Sequence, residues 1–316
     1  MPEQTKCHKV FCQTASHLLI QLRNNPLLLG WLIIGTVIAA VTKGVGGLIS
    51  ATVSIFLIGI YAIIIHIFTE KQTPDPEPVK RPQLETAAGI LLYLVMMGMV
   101  ALGFNLTKIP YLQNSFNHFI QQVYHHAENL AFWGLPQWLL GYLGNALTSI
   151  IMLLIPTLAL FLAFGYSWRR MGLKPRFWKL TALLLGITLV LGFPLRQVIL
   201  YEFPIYKTLG IFFIYIFINA LPEELFYRGY LLPRFENLLG NSLNALVITS
   251  ILFNASHIPA DIYQGMSISH ALLNSFSTYC PTGLIWGYLY LRTRSIIPGV
   301  LWHTSNTILG YFLFSI

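Results

Sequence analysis

Ionisable side chains cost free energy inside apolar helices, so each one found there is a functional hypothesis. In this chain they concentrate after residue 220, with Arg196 and Lys207 set apart near the ends of apolar runs. Three clusters carry them: Pro222-Glu223-Glu224-Leu225-Phe226-Tyr227-Arg228-Gly229, Phe253-Asn254-Ala255-Ser256-His257 and His303-Thr304-Ser305-Asn306-Thr307. Two adjacent carboxylates and two histidines in otherwise apolar surroundings support three kinds of chemistry. In the first, Glu223 and His257 hold and deprotonate a water that attacks a peptide carbonyl, while His303 and a nearby amide or hydroxyl stabilise the oxyanion. In the second, Glu223, His257 and His303 bind Zn²⁺, which itself acidifies a water, although the spacing fits no HExxH helix. In the third, Glu and His relay protons in a coupled transporter. Transporters usually repeat their fold in two related halves, and these polar residues have no counterpart elsewhere in the chain. A plainer use is as polar glue between helices.

Helical geometry separates the two glutamates. Residues four apart share a face, so Glu224 and Arg228 can pair. Glu223 is rotated by about 100° from its neighbour and has no basic residue three or four positions away. It is the carboxylate left for proton chemistry. A turn at Gly240-Asn241 has Glu224 sixteen residues before it and His257 sixteen after it, which sets both about 24 Å from the turn of an antiparallel hairpin. His303 comes eight residues after Ser295, about 12 Å deep on a regular helix, so the count leaves it too shallow. Pro298 and Gly299 allow an irregular start.

The elements that must position these groups are membrane-spanning. Of 316 residues, 55% are hydrophobic and 9% are charged, against about 25% charged in soluble domains. Apolar runs of the length that crosses a bilayer fall at about 26–42, 46–68, 86–106, 145–166, 180–201, 207–233, 243–258, 270–291 and 296–316. The expected fold is all-α: a polytopic transmembrane bundle of about nine helices, its site buried among the C-terminal ones. No cleavable signal peptide is expected. The sequence divides into a cytoplasmic tail (1–25), an accessory helix pair (26–68), a solvated linker (69–85) rich in proline and mixed charge, and a core (86–316) with its motifs within 222–307.

The net charge of +8 reports orientation and excludes no membrane role, while nothing in its distribution calls for nucleic acid. With the N-terminus cytoplasmic, 15 of the 19 basic residues, Arg228 among them, fall on the cytoplasmic side, as the positive-inside bias requires. Residues 167–179 combine five basic residues with Trp168 and Trp178, an ordinary boundary anchor. Residues 116–131 read as an amphipathic interfacial helix whose wet face carries His125 and Glu128, with His126 beside them. Cys7 and Cys12 flank His8, a spacing conceivable for a small metal site but read as an ordinary tail. With Cys280 inside a span, no disulfide is expected.

The three clusters resemble the EExxxR, FxxxH and HxxxN motifs of the CAAX-processing and bacteriocin-processing (CPBP, or Abi) intramembrane peptidases, a family that includes the Ras-converting CAAX endopeptidase of eukaryotes. Glu223, Glu224 and Arg228 match the first motif, and Phe253 and His257 the second. The run from Gly283 through Gly287 and Arg292 to Ser295 is similar to the family's approach to its last motif, as is the stretch 171–179 before the core. The resemblance spans about 165–310. It implies an endopeptidase acting on a membrane-associated peptide or protein substrate. In the roles it implies, Glu223 is general base, His257 positions the water, His303 stabilises the oxyanion, and Glu224 with Arg228 holds the site together. The family has been called metallopeptidase, yet a glutamate mechanism without metal suits residues at this burial and is favoured, with Zn²⁺ on Glu223, His257 and His303 as the alternative. The family's last Asn stands four residues after His, where this chain has Thr307, and Asn306 stands at three. Either side chain can complete the oxyanion site. The chain is accordingly placed as a multi-pass protein of a bacterial inner membrane, in contact with lipid. A non-catalytic immunity or scaffold protein of the same fold is the first rival, and the transporter the second.

Overall fold

A computed structural model describes residues 2–76, 78–106, 143, 146–192, 205–263, 265–278 and 280–309. Helices and their turns make up these residues, with no strand among them. The helices are α1 (Pro2–Arg23), α2 (Pro26–Thr69), α3 (Pro82–Leu106), α4 (Ala146–Ala163) and α5 (Trp178–Gly192). Then comes α6, a continuous run that starts at Ile205–Tyr215 and ends at Leu232–Leu239. It is followed by α7 (Ser242–Ala255), α8 (Ile258–Tyr263), α9 (Ile268–Thr278), α10 (Cys280–Thr293) and α11 (Ile297–Leu309). By length and composition five of the described stretches can cross a membrane: Pro26–Thr69, Pro82–Ala101, Ala146–Ala163, Leu209–Leu239 and Ser242–Ile262. The all-α membrane bundle is as expected, and nine helices was an approximation. The run expected at 270–291 falls on α9 and α10, between which residue 279 lies outside the described residues. The segment 116–131, with His125, His126 and Glu128, and the side chains of Cys7 and His8 lie outside the described residues.

The two N-terminal runs form one element, α2. A straight 44-residue helix would be about 66 Å long, twice the hydrocarbon thickness. It turns back at Gly44, whose φ of 62° and ψ of −145° suit glycine, and any side chain at Gly47 would overlap the Ala39 carbonyl. At its start Asn25 donates to Asn244 Oδ1 (3.2 Å), and at its end Thr69 Oγ1 accepts from Arg292 Nε (2.9 Å). Helices α7 and α10 are antiparallel, with Leu246 against Gly287 and Ser250 against Gly283. Asn244 and Arg292 therefore lie at one end of the bundle, and so do both ends of α2.

Three stretches wind more widely than an α-helix: Ile150–Leu154, Ile216–Ala220 and Glu224–Leu231. Each ends two residues before a proline, respectively Pro156, Pro222 and Pro233. A proline inside a helix has no N–H to donate and its ring presses on the carbonyl four residues back. Widening the preceding turn relieves both faults. Glu223 and Glu224 lie where the second wide stretch gives way to the third.

At the end where α2 closes, ion pairs tie the elements together. Arg234 holds Glu85 through Nε (3.1 Å) and Nη2 (3.0 Å), and Glu85 also accepts from the Tyr166 hydroxyl and the Arg81 amide (2.9 Å each). Burial, foremost among several causes, raises Tyr166 above its ordinary value, so its hydroxyl keeps the proton it donates. Lys80 caps α4 by donating to the Phe164 and Gly165 carbonyls (3.0 and 2.8 Å). Arg294 pairs with Glu236 (2.6 and 2.8 Å). Four basic residues expected on one side thus share one end; of the run expected as linker (69–85), residues 73–76 and 78–81 are non-helical, while Thr69 closes α2 and α3 already begins at Pro82. Arg228 differs: it is buried beside Glu224 and is no surface charge.

Candidate active site

The wide turn of α6 presents both glutamates, in different surroundings. Glu224 is 1% exposed and Glu223 is 22% exposed. Glu224 Oε1 lies 3.1 Å from Arg228 Nη1, the pairing expected from their spacing. The guanidinium sits 4.6 Å from the centre of the Phe253 ring and gives a hydrogen bond to the Gly283 carbonyl (3.3 Å). Phe253, the apolar member of the second cluster, is therefore a platform for a cation. A buried charge so surrounded has the partners that its desolvation demands.

His303 bridges the two glutamates. Its Nδ1 is 3.1 Å from Glu224 Oε1 and its Nε2 is 3.8 Å from Glu223 Oε2. A carboxylate only accepts, so Nδ1 donates to Glu224. The second distance exceeds a hydrogen bond and suits an oxygen atom that touches both groups at once. The simple depth count had set His303 too shallow. Wide winding over Glu224–Leu231 advances less per residue than an α-helix, which brings Glu224 nearer the end where α11 starts. Gly299, in the first turn of α11, lets the carboxylate approach: a Cβ there would stand 3.0 Å from Glu224 Oε2.

His257 follows the last turn of α7, in the short break before Pro259. Its Nδ1 is 3.0 Å from the Phe253 carbonyl; a carbonyl accepts, so Nδ1 is the donor and the ring's orientation is fixed. The ring also meets Phe253 edge-on at 5.1 Å. Tyr227 packs edge-on against Phe253 at 5.3 Å, so four residues back on α6 and four forward on α7 place Glu223 and His257 at the same level. Both are partly exposed.

Asn306 and Thr307 part company. The Thr307 hydroxyl donates to the His303 carbonyl of its own helix (3.1 Å). Asn306 is buried, and its Oδ1 accepts from Thr188 Oγ1 on α5 (3.3 Å), while Thr188 accepts from Trp302 Nε1 (3.0 Å). Its Nδ2 has no hydrogen-bond partner among the described residues. Of the two side chains, Asn306 keeps a spare donor. Regarding a metal, no three His, Cys, Asp or Glu side chains among the described residues converge as a cradle for one ion.

Sequence reasoning missed several contributors. Trp286 stacks on His303, with ring centres 3.8 Å apart and planes 21° apart. Gly283 supplies the carbonyl for Arg228, and Gly299 the clearance for Glu224. Gly283 and Gly287 show the small-xxx-small spacing of closely packed membrane helices, a signal that could have found their contact with α7. Nothing in the sequence links Thr188 to Asn306.

An all-helical membrane bundle with adjacent glutamates bridged by a buried histidine defines a class of intramembrane site. Residues 205–309 match the family described as Rce1-like, type II CAAX prenyl endopeptidase Rce1-like. This segment holds all three clusters and is similar to the CAAX/CPBP family of intramembrane proteases. No curated protein and no solved structure matches the chain.

Proposed function

We propose that the chain is an endopeptidase that hydrolyses a peptide bond of a membrane-associated substrate, using water activated by Glu223. The observation that carries this reading is the asymmetry of the site. Glu224 is buried between Arg228 and His303, whereas Glu223 is partly exposed beside His303 Nε2 at 3.8 Å. Glu223 takes a proton from water, and the resulting hydroxide attacks the scissile carbonyl. His257, level with Glu223, positions that water. Negative charge that develops on the carbonyl oxygen is met by the spare N–H of Asn306 and by His303 Nε2, which donates in the form of the ring that carries a proton on both nitrogens. Glu223 then returns the proton to the departing amine, which leaves two termini and consumes one water. Glu224 and Arg228 hold His303 and the helix in place. No step needs a metal.

The family description names a CAAX prenyl endopeptidase, and a prenylated C-terminal tail is accordingly the substrate class proposed for this chain. The N-terminus and the basic end of the bundle are proposed to face the cytoplasm of a bacterial cell.

The test compares membranes containing the wild type with membranes containing Glu223→Gln at equal protein level. Each is supplied with a farnesylated peptide that ends in Cys-aliphatic-aliphatic-X, and new peptide termini are also mapped across the membrane proteome. Cleavage in the wild type and at least a 100-fold loss in the variant is expected. Identical sets of termini in both would overturn the reading and favour a non-catalytic scaffold.

A further inference from the structure

Among the described residues, the buried side-chain atoms around His303 that have no hydrogen-bond partner include Glu224 Oε2, Asn306 Nδ2 and Trp286 Nε1. Glu224 bonds the imidazole, Asn306 lies one helical turn beyond it, and Trp286 covers its face. Buried polar atoms are nearly always partnered, and exceptions gather where a ligand or reacting group is to be met. The first two already have places in the proposed reaction. The indole N–H has none.

Trp286 is held firmly. It is 5% exposed, its ring stacks on His303, Phe253 meets it edge-on at 6.0 Å, and the Arg228 guanidinium lies 5.7 Å from its centre. The tight packing of α10 against α7 at Gly283 and Gly287 brings it there. Indole nitrogen only donates, and its neighbours His303 and Arg228 already have their acceptors in Glu224 and the Gly283 carbonyl. Stacking keeps Nε1 within about a ring's width of the imidazole. A donor in that position, dry and already oriented, is suited to an oxygen that gains negative charge.

We propose that Trp286 is a further catalytic residue, whose Nε1–H donates to the scissile carbonyl oxygen as the tetrahedral intermediate forms. With His303 and Asn306 it gives that oxygen a third donor. The inference rests on the peptidase reading and adds to it a residue outside the three clusters.

Trp286→Phe keeps an aromatic ring for the stack and removes the N–H, whereas Trp286→Leu removes both. Cleavage of the farnesylated peptide is measured per folded molecule for wild type, both variants and Glu223→Gln, together with thermal unfolding in detergent. For Trp286→Phe the expected result is a kcat lower by roughly 10–100-fold, toward the lower reach of one oxyanion donor, with KM and unfolding temperature little changed. A Trp286→Phe enzyme within twofold of wild type, beside a slow Trp286→Leu, makes the residue a packing group only and overturns the proposal while the peptidase reading stands. Absence of Glu223-dependent cleavage in the wild type overturns both.

Discussion

Adjacent glutamates with opposite fates are the residue-scale lesson of this site. Glu224 has Arg228 and His303 within 3.1 Å and is 1% exposed, so it serves as a fixed counter-charge. Removing one member of a buried ion pair leaves the other uncompensated, at a cost of about 3–5 kcal/mol. Arg228→Ala is therefore expected to lower both folded yield and unfolding temperature as well as activity. Glu223→Gln, whose carboxylate lacks such a pair, should unfold within a degree or two of wild type while losing cleavage. Thermal unfolding of the purified variants in detergent checks this. Equal stability of Arg228→Ala and wild type would show that the pair contributes nothing to the fold.

At the scale of elements, what could be read in advance was whatever depends on spacing within one helix or one hairpin. The Glu224–Arg228 pair and the level of His257 against Glu223 are of that kind. The wide turns were not read, although the prolines that cause them were in view, because the cost of an interior proline can be met by a kink, a break or a π turn. Long-range partners such as Thr188 and Trp286 were illegible for a different reason. Their roles arise from packing between helices, and no local pattern encodes it. Gly283 is the exception, since its spacing from Gly287 announces a close crossing. A Cβ at Gly283 would lie 3.2 Å from Ser250 Cβ and 3.3 Å from the Asn254 side chain. Gly283→Leu is thus expected to push α10 off α7, displace Trp286 and the Arg228 acceptor, and reduce cleavage at least tenfold with lower folded yield. Gly98→Leu on α3, where no atom of the described residues lies within 4 Å of an added Cβ, is the control and should behave as wild type. Equal behaviour of the two variants would mean that the crossing tolerates separation.

Across the whole molecule, the bundle is closed at its basic end by buried carboxylates, among them Glu85. Glu85 accepts from Arg234 Nε, from Tyr166 and from the Arg81 amide, with Arg234 Nη2 3.0 Å away, and so ties the linker, α3, α6 and the segment after α4. The bilayer supplies no hydrophobic attraction between helices, so polar ties of this kind carry more of the assembly than they would in a soluble protein. The two members of the Glu85–Arg234 pair are not equivalent. Without Arg234, Glu85 still has two donors; without Glu85, Arg234 keeps only the Gly229 and Tyr230 carbonyls (3.3 and 3.2 Å), its charge has no counter-ion, and Tyr166 and Arg81 each lose an acceptor. Both alanine variants are expected to destabilise the bundle by several kcal/mol, Glu85→Ala more than Arg234→Ala by about 1–2 kcal/mol, the cost of the additional unsatisfied donors. Unfolding by denaturant in mixed micelles ranks them. The reverse order would place the anchor in the cation of α6 and not in the carboxylate of α3.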